Sequence, residues 1–247
     1  MALFDKIDFI LIATDHNKMD HSIKTKYGLA IYNSSDKTNI EIGVDEAGRG
    51  PMFGRVYAAA VILPKCSTEF DHEELRDSKK IKSVKKLTKL TEYIKLNSIA
   101  WAVCYEDEKT IDAINIRQAT LKAMHSAIDK VMKTVTNPSN VSLMIDGNDF
   151  KPYMVYGNHN KTMMTQINHT CFEGGDNKFT AIAAASILAK TDRDAYILDI
   201  CERNPLLKDN YSIDTNKGYG TKKHIDGINK HGITQWHRKS YGICKNY

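Results

Sequence analysis

Apolar positions in this chain follow two rhythms, and the switches between them lay out its elements. IEIGV, from Ile40, is a short continuous apolar run that ends on Asp45. A Gly/Pro turn follows, and then a second run, VYAAAVIL. Runs of this length bounded by turn residues read as buried strands, and the short connection makes them a hairpin-like pair. VKKLTKLTEYIKL, from Val84, carries apolar residues at helical spacing. SIAWAVCYE reads as a strand, followed by helix from about Glu106 and a longer helix over IRQATLKAMHSAIDKVMK. VSLMID is a strand ending on Asp146. KFTAIAAASILAKTDRDAYILDICER is the strongest helix, alanine-rich and stopped by Asn204-Pro205. TKKHIDGINKH predicts a last helix, ended by Gly232.

Strands and helices thus alternate with one antiparallel pair among them, which predicts an α/β fold with a mixed central sheet flanked by helices. Residues 1–38 stand apart. Their runs FILIA and YGLAIY are separated by TDHNKMDHSIKTK and closed by NSSDKTN, a pattern open to an extra hairpin or a loosely attached extension. The expected division is an extension over 1–38, a catalytic domain over 39–210, and a small basic helical segment over 211–247.

Composition narrows the classes. The 247 residues are 42% hydrophobic and 26% charged, ordinary globular values that allow a real core. The net charge of +5 is unevenly spread. From residue 217 onward, Lys217, Lys222, Lys223, Lys230, Arg238, Lys239 and Lys245 face a single acid, Asp226, which suits a polyanionic partner. Five scattered cysteines form no CxxC or CxxH group, so neither a disulfide framework nor a structural zinc site is indicated, and a reducing, cytoplasmic setting is expected. His224, His231 and His237 fit no common zinc spacing and are expected to be structural. The apolar run at residues 9–13 is too short for a signal peptide or membrane span, so no membrane partner is expected.

The chemistry resides in acids at the ends of apolar runs: Asp45-Glu46 after IEIGV, Asp146 after LMI, and Asp194 in the alanine-rich helix. Gathered in a fold, such carboxylates repel one another unless a cation sits among them, and hard divalent ions with oxygen ligands are the usual occupants. Gly48-Arg49-Gly50 follows the first pair directly, and Gly48 lets both acids aim at one site by ending the strand there. A strand ending in Asp-Glu also occurs in ATPases, but the companion GxxxxGK[ST] loop is missing. Asp192, two residues before Asp194, should diverge from it by about 200° around the helix and face away.

GVDEAGRGPMFG, LRDSKKI, IDAINIRQATLKAM, MIDGN, EGGDNK, IAAASILAKTDRD and NKGYGTKKH…HGITQWHRKSYG together resemble ribonuclease HII, in that family's order and over roughly residues 40–244. The Gly-Arg-Gly form favours type II over the related type III. The resemblance implies a ribonuclease H-like fold with a small C-terminal helical segment. It implies that Asp45, Glu46, Asp146 and Asp194 are catalytic and bind two divalent ions, Mg2+ or Mn2+. It implies an endoribonuclease acting on the RNA strand of RNA/DNA hybrids and 5′ of ribonucleotides embedded in duplex DNA, leaving 5′-phosphate and 3′-hydroxyl ends. Gly48, Arg49, Gly50 and Tyr219 would sense the RNA–DNA junction. Lys79, Lys178 and Lys190 are further candidates for substrate contact, and Arg238 and Ser240 would bind phosphate or fasten the C-terminal segment. Arg55 stands where the family more often has proline, and would add a phosphate contact or sit at the strand's start. A monomer is expected, and no sliding-clamp motif is visible in GICKNY. The alternatives are a catalytically weak nucleic-acid-binding relative and another two-metal nuclease of the same fold.

Overall fold

The computed structural model describes residues 23–34, 36, 38–81, 83–156 and 164–247. Five strands form one sheet in the order β3-β2-β1-β4-β7: β1 Ile40–Ala47, β2 Val56–Ile62, β3 Ala100–Glu106, β4 Val141–Asp146 and β7 Asn168–Phe172. β1, β2 and β3 pair antiparallel, whereas β4 runs parallel to both β1 and β7, so the sheet is mixed as the sequence predicts. The short strands β5 (Met154–Tyr156) and β6 (Met164–Gln166) form a separate ribbon.

Helices cover both faces. Alternate β2 residues divide between two cores, which is why the strand is buried along its whole length. Ala58, Ala60 and Ile62 join Ile42, Val44 and the apolar face of α2 (Glu108–Met132). Tyr57, Ala59 and Val61 pack on the other side, against α1 (Val84–Asn97) and the alanine-rich stretch of α3 (Thr180–Arg203). Helix α2 is broken at Asn115 (φ 66°, ψ 163°), between the two helical pieces the sequence indicates. Helix α3 ends at Asn204, whose N–H bonds back to Ile200.

Beyond α3 a third core forms around Phe53, Ile197, Tyr211, Ile213 and Ile228, from α4 (Leu206–Tyr211), α5 (Ile213–Asn216), α6 (Lys222–His231) and the segment after it. α5, α6 and the segment after it fall within 211–247, whereas α4 and the end of α3 precede that boundary; this core rests on Met52 and Phe53 of the loop that leaves β1. The FILIA run lies outside the described residues. The YGLAIY run forms isolated bridges instead of a strand, Lys24 with Ala30 and Ala30 with Phe179, while Leu29 joins the α1/α3 core. Residues 23–34 are therefore attached to the body. Among the described residues no helix is long and apolar enough to cross a membrane.

Candidate active site

Parallel pairing brings the ends of β1 and β4 together. Val44 lies opposite Ile145, so Asp45 and Asp146 are the next residues on neighbouring strands. Oxygens of Asp45, Glu46 and Asp146 all lie within 4.8 Å of one another. Asp45 is only 4% exposed. The Glu46 amide donates to its Oδ1 at 2.6 Å, and the Ser186 hydroxyl on α3, which meets the Ser78 hydroxyl at 3.0 Å, favours its charged form. Asp146 is oriented by the Gly175 amide, which donates to its Oδ1 at 2.7 Å.

Burial first, and then the charges of Glu46 and Asp146, push the Asp45 carboxyl well above the usual carboxylate range. Burial also raises Glu46, against the pull of Arg49, whose Nη1 stands 3.3 Å from Glu46 Oε1. An all-oxygen, anionic and desolvated trio is a poor arrangement by itself and a good one for a hard divalent cation. The residues fit such an ion.

Asp194 stands apart from that trio. Its Oδ2 takes a 2.7 Å bond from Lys190 Nζ and its Oδ1 lies 3.6 Å from Arg193 Nη1. It lines the same cleft as Glu46, however, with Gly48, Arg49, Gly50, Lys79, Lys190, Arg193, Lys217 and Tyr219, around a cavity of about 270 Å³. Asp192 is held on another side of α3 by Lys95 at 2.9 Å, as the helical angle requires.

Lys79 reaches the cleft with Asp176, Asp77, Asp45 and Asp146 around it. Its burial works against the charged form, and those acids more than offset this, so its pKa is raised. Lys178 does not line the cleft: it is exposed, and its backbone serves to hold the chain, its carbonyl accepting from Ala30. Gly48 adopts φ +97°, and a side chain there would strike Arg193 Nε at 2.4 Å. The turn thus requires glycine both for its backbone and for the arginine beneath it.

His224 and His237 are structural. Thr234 N–H donates to His237 Nδ1, the His237 and His224 Nε2 atoms meet at 3.0 Å, and His224 Nδ1 donates to the Tyr219 carbonyl. This order of donors leaves both rings neutral with their nitrogens in use. Arg55 sits at the start of β2, with its guanidinium stacked between the Tyr105 and Tyr196 rings at 4.0 and 4.2 Å.

Sequence reasoning did not single out Ser186, Ser78, Arg193 or Asp176, and named Lys217 only as part of the basic C-terminal run. A lone serine in the run AAASILA and an arginine within TDRD were the available clues, and only packing gives them meaning.

The family model for ribonuclease HII matches residues 42–244. The chain belongs to the ribonuclease HII family. It is 45% identical over 204 residues to ribonuclease HII of Bacteroides fragilis, covering 83% of this chain and 90% of that one. It is 39% identical to ribonuclease HII of Neisseria meningitidis, covering 83% and 93%. Among solved structures, the ribonuclease HII in a PCNA complex from Archaeoglobus fulgidus superimposes with a TM-score of 0.58 at 20% identity, covering 83% of this chain and 96% of that one. A ribonuclease HIII bound to Mn2+, Bst-RNase HIII, gives 0.58 at 13% identity, covering 78% and 70%. At these identities the structural likeness speaks to the fold, and the family rests on the sequence relatives. As a family member the chain is a ribonuclease H, a phosphodiester hydrolase.

Proposed function

We propose that this ribonuclease H cuts the RNA strand of RNA/DNA hybrids and the 5′ side of ribonucleotides embedded in duplex DNA, leaving 5′-phosphate and 3′-hydroxyl ends. The observation that carries the reading is an acidic trio, Asp45, Glu46 and Asp146, whose Glu46 lines one cleft with Gly48-Arg49-Gly50 and Tyr219. Asp45, Glu46 and Asp146, with Asp194 joining from α3, would hold two divalent ions, Mg2+ or Mn2+. When bound, such ions supply Lewis acidity at the phosphate and help generate the attacking hydroxide.

The chain's own residues supply position and selectivity. Ser186 and the Gly175 amide aim Asp45 and Asp146. Lys79, Lys190 and Arg49 place positive charge along the cleft, where a phosphate backbone would run. Tyr219 is half exposed at the rim, available to stack on a sugar, and the glycines of the loop let its backbone approach a 2′-hydroxyl. Lys190 now holds Asp194, and its release by substrate phosphate would free that carboxylate to turn toward the trio. We place the protein in the cytoplasm as a monomer. Its five free cysteines fit a reducing compartment.

The test is incubation with a duplex carrying one ribonucleotide, with and without Mg2+ or Mn2+. Metal-dependent nicking 5′ of the ribonucleotide is the expected result. Cutting of an all-DNA duplex would point to another two-metal nuclease, and binding without nicking to a silent relative.

A further inference from the structure

Arg238 is the largest side chain in the core with no exposure, and its partners are backbone oxygens instead of a carboxylate. Its Nε donates to the Gly54 carbonyl at 2.7 Å. Its Nη1 donates to Pro51 at 2.7 Å and to Arg49 at 3.1 Å, and its Nη2 to Gly48 at 2.7 Å. Its own amide bonds to the Met52 carbonyl at 2.8 Å. Five carbonyls between residues 48 and 54 therefore turn toward one residue of the C-terminal segment. Burial pulls the guanidinium down to about 10, still charged at neutral pH.

A buried cation without a counter-ion is costly, and removing it would leave several buried carbonyls without donors. The arrangement has a directional consequence. In a planar trans peptide the N–H points opposite to the C=O. With the Gly48 and Arg49 carbonyls drawn inward to Arg238, the amides of Arg49 and Gly50 face the other way, and both residues line the cleft.

We propose that Arg238 is a positioning residue that sets the polarity of the Gly48–Gly54 loop, tying its acceptors inward so that its donors face the substrate. The inference deepens the function proposed above and rests on it. It also settles the two roles open for Arg238 in the sequence: the side chain is beyond reach of a phosphate, and it fastens the loop from behind. Lysine cannot substitute, because an ammonium is a point donor without the planar fork that spans several carbonyls.

Three variants test this on the full chain: Arg238→Lys, Arg238→Ala with added methylguanidinium, and Tyr241→Phe, which removes the other donor to the Arg49 carbonyl, 2.8 Å away. Backbone hydrogen exchange across residues 48–54, KM and kcat on a single-ribonucleotide duplex, and the Mn2+ midpoint are measured together. In Arg238→Lys, exchange in that loop is expected to quicken and KM to rise about tenfold or more, with a smaller change in kcat. The Mn2+ midpoint should stay at the wild-type value, because the acidic trio makes no contact with Arg238. Methylguanidinium should restore part of the KM of Arg238→Ala. Tyr241→Phe, which removes one hydroxyl and keeps the partly buried ring in place, should raise KM up to about fivefold.

Wild-type KM in both Arg238→Lys and Tyr241→Phe would overturn the proposal while the proposed function stands. A loss confined to kcat that tracks falling Tm, with loop exchange unchanged, would also overturn it. A wild-type protein inert on the duplex with every metal would instead remove the proposed function, and this role with it.

Discussion

Asp45 concentrates the conflict between stability and chemistry in this molecule. Buried beside two other acids, its carboxyl is raised well above the ordinary value of 3.8. Below 3.8 the protonated form is common to both states. As pH rises toward the folded pKa, the unfolded chain loses its proton first, and stability falls. Asp45→Asn removes that repulsion. It is expected to raise the Tm of the metal-free protein by several degrees while abolishing cleavage, and to abolish the further rise in Tm that Mn2+ gives the wild type. Thermal unfolding with and without Mn2+ measures both; a lower metal-free Tm would contradict the electrostatic account.

His237 works in the opposite direction. Burial and the neighbouring His224 lower it to about 3, against 6.5 in the unfolded chain. Its contribution is complete above pH 6.5 and is lost as pH falls from there toward 3. Replacing His237 by Gln should therefore flatten the acid limb of the stability curve by up to about 1.4 kcal/mol per pH unit, read from urea unfolding at several pH values. Tyr219→Ala should leave Tm within a degree or two, since the ring is 50% exposed, and weaken the preference for the RNA–DNA junction. An unchanged junction preference would remove Tyr219 from the reading.

At the scale of elements, the site depends on how closely α3 lies on β1. Gly43 makes that approach possible: a Cβ there would stand 2.2 Å from the Ala181 backbone carbon. The small residues Ala181, Ala184 and Ala185 continue the close face along the helix. Gly43→Ala is expected to cost about 1–3 kcal/mol as overpacking. It should also push the Ser186 hydroxyl away from Asp45, lowering kcat more than a distant mutation of equal destabilisation; equal losses would argue that the helix position is not critical.

Some of this level was legible in advance. The apolar runs before Asp45 and Asp146 and the helical spacing of α1, α2 and α3 marked those elements, because both faces of the sheet are covered and buried strands lack polar alternation. β7 escaped detection because NHTCF, a half-exposed edge strand, carries no apolar rhythm. β5 and β6 are three residues each, too short for any period to register.

For the whole molecule, positive charge gathers at the cleft, although of the basic run from residue 217 onward only Lys217 lines it. Arg49, Lys79, Lys190 and Lys217 stand along it beside the acids. Binding of a hybrid should therefore weaken steeply with salt, by roughly a hundredfold between 50 and 200 mM if about four phosphates are neutralised. A flat salt response in equilibrium binding would mean that the basic residues do not meet the backbone.

The chain's composition and word order were enough to determine the family and the mixed sheet, and to mark Asp45, Glu46 and Asp146 as acids at the ends of neighbouring apolar runs, since those depend on local spacing. Tertiary structure alone decided which groups act together. Parallel pairing of strands a hundred residues apart sets Asp45 beside Asp146. Packing of the last segment turns an apparent phosphate ligand, Arg238, into an internal support. Such outcomes are balances between distant charges and burial, and no local stretch of sequence encodes them.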